Sequence, residues 1–215
     1  MEDNRIYLKE THYFDYSHPH VQELISDIDS THLEMSEKVQ ALYLKVRDGW
    51  RYNAYRISLD SDNYKASAII SRPEGHCIEK AIVLIAGLRA LGIPARLRLA
   101  KVTNHIAVER LMERLGTNIL PPHGMVDIFM NGSWLKATPA FNKALCEKCN
   151  VLPLEFDGMR DSIFQGFNDD GDKFMEYLED YGPFDDVPLH FMIKNLQEHY
   201  PGVFDKGNQK MEYHF

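Results

Sequence analysis

The strongest hydrophobic pattern in the chain covers residues 77–91. Apolar residues and alanines occupy almost every position there, so a helix over this segment is apolar on nearly all of its faces. A helix of that kind is buried in the protein core. Gly92 can adopt the left-handed conformation that ends a helix, and Pro94 prevents the helix from continuing. The pattern therefore predicts a buried helix that ends in a turn at Gly92.

Two helices are predicted before this buried helix. Pro19 suits the first turn of a helix, which predicts a short helix over residues 19–28. Apolar residues spaced at i, i+3, i+4 and i+7 predict a second, amphipathic helix that ends near Gly49. Thr31 and Glu34 have the spacing of a capping box at its start. The apolar residues of this second helix are Val39, Leu42, Tyr43 and Val46.

The segments on either side of the buried helix have different patterns. Residues 53–72 are polar and lack a helical period, so we interpret them as a long loop, which in a compact domain is often functional. Residues 95–102 alternate between apolar side chains and arginines, Arg96 and Arg98 among them. Strict alternation predicts a strand with one face in solvent.

A β-hairpin is predicted further along the chain. Residues 123–130 have the character of a strand, Asn131-Gly132 is the strongest short hairpin signal, and residues 133–138 form the returning strand. A two-residue turn places Phe129 opposite Trp134, Asp127 opposite Lys136, and Met125 opposite Thr138. Because side chains alternate between the faces of a strand, His123 and Thr138 are then diagonal neighbours on one face.

Composition limits the class of protein. The chain has 215 residues, of which 44% are hydrophobic, enough for one sizeable core. Its formal net charge of −8 disfavours nucleic acid as a partner, because phosphate binding needs a basic surface. No apolar run approaches the roughly 20 residues of a membrane span, and the N-terminus lacks an apolar signal segment. We therefore expect no nucleic-acid or membrane partner and a cytoplasmic location.

The chain is expected to form one domain with two parts. Residues 1–142 are predicted to form the core together with an N-terminal helical arm. Residues 143–215 are acidic and rich in aromatic residues, and we expect them to be an extension of helices and loops that packs on this core.

The three cysteines, Cys77, Cys146 and Cys149, argue against a disulfide framework because their number is odd and low. Cys146 and Cys149 have C-x-x-C spacing, but no second pair of ligands follows them, so a structural zinc site is disfavoured. The acidic residues 168–172 lack the spacing of a calcium loop and are interpreted as a solvated turn. We expect no metal and no cofactor.

Cys77 differs from the other two cysteines because it lies in the first turn of the predicted buried helix. A helix N-terminus has unpaired N–H groups and a partial positive charge, and both favour the nucleophilic thiolate. Paired with the imidazole of His123, this thiolate can attack an amide or ester carbonyl, with the Cys77 N–H as oxyanion donor. The alternative interpretation is an inert core thiol, which is the usual state of a cysteine on an apolar helix.

The order of these motifs resembles the transglutaminase-like superfamily, in particular its small bacterial-type members. The resemblance covers about residues 38–142. It implies an α+β, papain-like fold, in which the helix that carries the nucleophile packs on an antiparallel sheet. By that match Cys77 is the nucleophile and His123 the general base and acid. The motifs are Val46-Arg47-Asp48-x-x-Arg51-Tyr52, Gly75-His76-Cys77, the run from Gly87 to Arg96, His123, and Asn131-Gly132-x-Trp134.

The chain departs from the pattern of this superfamily at the third catalytic position. Thr138, just before Pro139, stands where the family usually has aspartate. Threonine can accept a hydrogen bond from an imidazole N–H and so orient His123, but it carries no charge to stabilise an imidazolium. Asn142 and Asp157 are the alternative candidates for this orienting role.

The resemblance implies a thiol enzyme that performs acyl transfer or hydrolysis on an amide, with a peptide or glutamine-type substrate. Hydrolysis is favoured over cross-linking because water is always available and no dedicated amine site is evident. The second hypothesis is a catalytically inactive module that keeps the fold in order to bind peptides.

Overall fold

The computed structural model describes residues 4–30, 32–105, 108–164, 171, 173–201 and 212–214. The helices are α1 (Pro19–Asp29), α2 (Met35–Gly49), α3 (Ala66–Ile70), α4 (Cys77–Ala90), α5 (Val108–Leu115), α6 (Lys143–Lys148) and α7 (Leu189–His199). The strands are β1 (Arg51–Tyr52), β2 (Arg56–Ser58), β3 (Glu74–Gly75), β4 (Ala95–Asn104), β5 (Ile119–Met130), β6 (Ser133–Ala137), β7 (Met175–Phe184) and β8 (Glu212–His214).

A four-stranded antiparallel sheet forms the centre of the fold. Its strand order is β6-β5-β4-β7, and every neighbouring pair is antiparallel. Helix α4 packs on β4 and β5, and helices α1, α2 and α3 pack on other sides of α4. The expected α+β class, with the nucleophile helix on an antiparallel sheet, is confirmed.

Helix α4 agrees with its sequence pattern. All of its residues from Cys77 to Arg89 are buried, including the charged side chains of Glu79, Lys80 and Arg89. The helix ends at Ala90, and Gly92 has a φ of +74°, a conformation that glycine adopts without steric cost. The close agreement follows from the length and uniformity of the apolar pattern.

Helices α1 and α2 also lie where they were predicted, with one difference at the start of α2. Glu34 is the N-cap of this helix, and its backbone N–H donates to Glu37 Oε2 at 2.9 Å. The capping box is therefore formed by Glu34 and Glu37, three residues later than predicted. Thr31 lies outside the described residues.

The prediction of a long loop over residues 53–72 is wrong. This segment contains β2, α3 and a 3₁₀ turn over Ser61–Tyr64. Tyr64, Ala66 and Ile69 are buried in the main hydrophobic core. These apolar residues are too few for a helical period to be visible in the sequence, so only their tertiary packing reveals the elements.

The prediction that β4 has a solvent-exposed face is also wrong. Arg96 Nε lies 3.0 Å from Asp127 Oδ2, and Arg98 Nε lies 2.8 Å from Asp127 Oδ1. Arg98 also pairs with Asp180 of β7, at 2.7 Å. Because β4 lies between β5 and β7, both arginines are covered and reach a carboxylate that is only 1% exposed. The alternating arginines of β4 therefore lie on a face covered by ion pairs and not on a solvent-exposed face.

The predicted hairpin register is confirmed. Phe129 pairs with Trp134 and Asp127 with Lys136, and both turn residues, Asn131 and Gly132, have positive φ. The pairing with β6 ends at Ala137, so Thr138 lies just beyond the ladder. The first strand begins at Ile119, four residues earlier than its predicted start.

Residues 143–215 contain more than the helices and loops that were expected. Strand β7 adds ten residues to the central sheet beside β4, and α6 and α7 are the helices of this part. Much of β7 is exposed and acidic, as suits an edge strand, so its sequence shows little hydrophobic alternation. The division of the domain at residue 142 stays a prediction. Among the described residues, no helix is both long and apolar enough to cross a membrane.

Candidate active site

Cys77 is the first residue of α4, which places it at the positive end of the most deeply buried helix. The turn before it is fixed by a capping box, in which the backbone N–H of His76 donates to Glu79 Oε2 at 3.0 Å. The Cys77 side chain is nearly covered, and the residue is only 8% exposed. The local sequence thus fixes the position of the thiol, and the surrounding fold fixes its exposure.

The expected easy ionisation of Cys77 is wrong for this structure. Burial raises the pKa of the thiol to about 11. The backbone N–H groups of Gly124 and Ile78 act in the opposite direction, because hydrogen bonds to the sulfur favour the thiolate. Desolvation is the larger effect, since tertiary neighbours cover the sulfur almost completely. Cys77 is therefore a neutral thiol at pH 7.

Gly124 is the point at which the strand of His123 touches the nucleophile helix. A Cβ atom on Gly124 would lie 2.7 Å from Ile78 Cα and 2.8 Å from Ile78 Cγ1, closer than real Cβ contacts allow. Only glycine therefore lets β5 approach the first turn of α4 this closely. Glycine inside a strand is a known sign of close backbone approach, and this signal was not used in the sequence interpretation.

We expect Gly124→Ala to destabilise the protein by about 1–3 kcal/mol, because the methyl group must push β5 away from α4. Urea unfolding followed by circular dichroism measures this difference. Gly49→Ala is the matched control, since a Cβ there meets nothing within 4 Å and Gly49 ends a helix. Equal unfolding midpoints for Gly124→Ala and the wild type would show that the close approach does not constrain the fold.

His123 is buried on the same strand and is only 1% exposed. Its ring centroid lies 5.5 Å from that of Phe164 and 6.5 Å from that of Tyr177. Burial lowers the pKa of His123 to about 4, so its imidazole is neutral at pH 7. Within the described part of the chain, His123 Nε2 has no hydrogen-bond partner, and so it is not bonded to Cys77 Sγ. The structure joins the two segments through Gly124 but leaves their reactive atoms unbonded.

Thr138 is buried, and its side chain lies close to the hydroxyl of Tyr177. Its backbone carbonyl accepts a hydrogen bond from the Tyr43 hydroxyl at 3.0 Å, which fixes the backbone. Burial raises the pKa of Tyr177 to about 12, and a polar contact with Thr138 opposes that rise. Neither hydroxyl has a partner of ordinary hydrogen-bond geometry among the described residues, so we interpret the two as close but unbonded. Tyr177, from β7, was not a candidate at the sequence level.

The two alternative third residues are engaged elsewhere. Asn142 Oδ1 accepts a hydrogen bond from the Tyr52 backbone N–H at 3.0 Å. Asp157 accepts hydrogen bonds from the backbone N–H groups of Met159 and Arg160, at 2.9 and 3.2 Å, within a turn. Neither bonds to His123 Nε2, which is unpartnered among the described residues. Thr138 Oγ1 also has no hydrogen-bond partner among the described residues, so the identity of the third catalytic residue stays a prediction.

Lys80 is a further buried group beside the site. All three protons of its ammonium point to backbone carbonyls, those of Arg47 at 2.6 Å, Trp50 at 2.9 Å and Ala140 at 2.8 Å. Burial lowers the pKa of Lys80 to about 7, and the negative charge of nearby Asp48 opposes that decrease. Lys80 thus ties the end of α2 and the segment that follows Thr138 to the nucleophile helix.

Cys77 also lines a pocket of about 60 Å³. His76, Tyr52 and Tyr200 contribute to its wall, and most of the other lining residues are aliphatic. His123 is not among the lining residues. The lining comes from segments that are far apart in the chain, so no local sequence pattern could have predicted the pocket.

The other two cysteines are ordinary thiols in this structure. Both are free, and Cys146 is buried whereas Cys149 is partly exposed. Within the described residues, no group of three or more histidine, cysteine, aspartate or glutamate side chains is arranged to hold a metal ion. The acidic turn over residues 168–172 lies almost entirely outside the described residues. The expectation of no cofactor stays a prediction.

Comparison with known proteins identifies the family. The sequence profile of the transglutaminase-like superfamily matches residues 22–139, more than half of the chain. The protein therefore belongs to the transglutaminase-like superfamily, as its motifs indicated. A search of curated protein sequences finds no significant match.

Two solved structures are similar to this chain. A candidate cysteine protease from Cytophaga hutchinsonii is 15% identical with a TM-score of 0.51, and the match covers 83% of this chain and 64% of that protein. An arylamine N-acetyltransferase from Nocardia farcinica is 12% identical with a TM-score of 0.45, covering 87% of this chain and 72% of that one. The chain thus spans less than two thirds of the Cytophaga protein. At 15% identity, the similarity to the Cytophaga protein shows the fold alone.

Proposed function

We propose that the protein is a thiol enzyme that transfers or hydrolyses the acyl group of an amide, with Cys77 as nucleophile and His123 as general base and acid. The observation that carries the proposal is the position of Cys77. Its sulfur lies at the start of α4, on a pocket, with the N–H groups of Gly124 and Ile78 directed towards it. His123 is the residue adjacent to Gly124, and membership of the superfamily supports the same assignment.

The resting state that these pKa values describe is a neutral thiol beside a neutral imidazole. The proton of Cys77 Sγ therefore moves to His123 as the sulfur attacks the substrate carbonyl, rather than beforehand. The attack forms a thioester, and the imidazolium of His123 protonates the departing amine. Water then cleaves the thioester and restores the thiol. Catalytic hydrogen bonds often tighten only when substrate binds, so an unbonded pair in the free protein is compatible with this sequence of steps.

The residue type at position 138 bears on the protonation state of His123 in the proposed mechanism. An aspartate at its position would raise the pKa of His123 and favour an ion pair with the thiolate. A threonine hydroxyl offers orientation without charge, which is consistent with a neutral pair. We propose hydrolysis of a peptide or other amide in the cytoplasm as the reaction.

The second candidate is an inactive peptide-binding module of the same fold. The protonated, buried thiol and the unpartnered His123 Nε2 favour it. In such a module the pocket binds a side chain of the partner, and Cys77 is a packing residue.

The rate of Cys77 alkylation by iodoacetamide separates these candidates. For an enzyme, we expect the folded protein to react at Cys77 with a rate that rises from pH 7 towards pH 11, because the thiol has a pKa of about 11. We expect His123→Ala to react at least about tenfold more slowly at pH 7, since the neutral imidazole acts as the base. Peptide mass mapping distinguishes Cys77 from Cys146 and Cys149.

Two results would contradict the enzyme proposal. One is modification of Cys77 only at urea concentrations that unfold the protein, which identifies the thiol as core packing. The other is an identical pH profile for the wild type and His123→Ala. Both results support the binding module.

A further inference from the structure

The described residues that line the pocket beside Cys77 carry no full charge. They include no lysine, arginine, aspartate or glutamate. His76 is neutral, because burial lowers its pKa. Two of the tyrosine hydroxyls in the lining already donate to the protein, that of Tyr64 to Ser58 O at 3.0 Å and that of Tyr200 to Ile119 O at 2.9 Å. A charged group would lose its hydration here without gaining an ion-pair partner from these residues.

The position of His123 indicates which half of the substrate enters this pocket. In the proposed reaction, His123 protonates the leaving amine, so the leaving group must lie on the histidine side of the sulfur. Cys77 lines the pocket and His123 does not. This favours the acyl group as the occupant of the pocket, because Pro122 lines it but the imidazole of His123, which protonates the leaving amine, does not.

The size of the pocket limits this acyl group. Its volume is about 60 Å³. An apolar cavity of about 150 Å³ accommodates benzene, so the space beside Cys77 suits an aliphatic group of about two to four carbons. Met192 and Leu196 of α7 are part of the wall.

We propose that the substrate of Cys77 carries a short, uncharged, aliphatic acyl group, and that this group binds between α4 and α7. The inference rests on the proposed function and specifies its substrate class. With a 4-nitrophenyl ester as probe, the C–O bond of the ester breaks and a C–S bond to Cys77 forms. The thiol proton passes through His123 to the departing 4-nitrophenolate, so the products are an S-acyl enzyme and 4-nitrophenol.

The test compares 4-nitrophenyl acetate, butyrate and octanoate as acyl donors to the folded protein. Each rate of Cys77 acylation, read from the nitrophenol burst and from intact mass, is divided by the rate for free cysteine. We expect the normalised rates for acetate and butyrate to exceed that for octanoate by about tenfold or more, because surplus methylenes find no space. Iodoacetamide and iodoacetate, normalised in the same way, compare a neutral with a charged reagent, and we expect the neutral one to be preferred.

A variant with a larger pocket provides the decisive test of the acyl-group assignment. Met192→Ala should raise the octanoate rate relative to the butyrate rate by about tenfold, since it removes several heavy atoms from the wall. Lys194→Ala is the matched control on the same helix, because its side chain is 66% exposed and does not line the pocket. Leu196→Ala repeats the test if the Met192 variant does not fold.

The outcomes distinguish this inference from the function on which it rests. Two results would overturn the acyl-group assignment and leave the proposed thiol enzyme unaffected. One is acylation of Cys77 at equal normalised rates for all three esters. The other is a chain-length preference that both α7 variants leave unchanged. The absence of any acylation at Cys77, together with alkylation that does not depend on His123, overturns both.

Discussion

Replacement of His123 by alanine is expected to lower the rate of 4-nitrophenyl butyrate turnover by about 10²- to 10⁴-fold, the usual contribution of a general acid–base catalyst. The expectation follows from the neutral state of both reactive groups. With a pKa of about 11, almost none of the Cys77 thiol ionises spontaneously at pH 7, so attack depends on a base beside it. His123, with a pKa of about 4, is unprotonated at pH 7 and available to accept the proton.

The measurement is the steady-state rate of nitrophenol release between pH 5 and pH 10, with Cys77→Ala to define the background. We expect the difference between the wild type and His123→Ala to narrow towards high pH, where hydroxide ionises the thiol directly. His190→Ala is the control, because His190 is exposed on α7. A constant ratio near one across the whole range would remove His123 from the mechanism.

Replacement of Lys80 by methionine is expected to lower the free energy of unfolding by at least about 1–3 kcal/mol, the usual cost of leaving a buried acceptor without its hydrogen bond. Methionine matches the length and apolar stem of lysine but cannot donate to the carbonyls of Arg47, Trp50 and Ala140. Those three acceptors would then be buried without partners. Urea unfolding monitored by tryptophan fluorescence provides the measurement.

The control for Lys80 is Lys194→Met, which removes only a loose ion pair with Glu198 at 3.8 Å on the surface. Exposed pairs of this kind contribute about 0–1 kcal/mol, so its unfolding midpoint should be close to that of the wild type. Equal stability for the two variants would show that the carbonyls near Lys80 find other partners.

Thr138 distinguishes this chain from the usual pattern of its superfamily. A carboxylate beside an imidazole stabilises the protonated ring, whereas a hydroxyl does not. In this structure near-complete burial lowers the pKa of His123 to about 4 and keeps the ring neutral at pH 7. The proposed reaction therefore needs proton transfer from Cys77 to His123 at the moment of attack.

Local patterns were sufficient to predict much of the fold. The long apolar run from Cys77 predicted α4 because uniform burial is visible in the sequence itself. Asn131-Gly132 predicted the register of β5 and β6, since both residues accept the positive φ of a tight turn. In contrast, Arg96 and Arg98 were expected in solvent, because no local signal shows that Asp127 and Asp180 lie on neighbouring strands.

The candidate site, like the fold, could be predicted from the sequence only in part. The sequence by itself determined that Cys77 begins a helix, that His123 lies on a strand, and that Thr138 stands in place of a carboxylate, because helix ends, turns and residue types are local properties. Only the tertiary structure decided that the thiol and the imidazole are neutral, that Gly124 is the contact between their segments, and that Tyr177 lies beside Thr138. The physical reason is that desolvation depends on every group that surrounds an atom in space, and those groups come from parts of the chain that no local pattern connects.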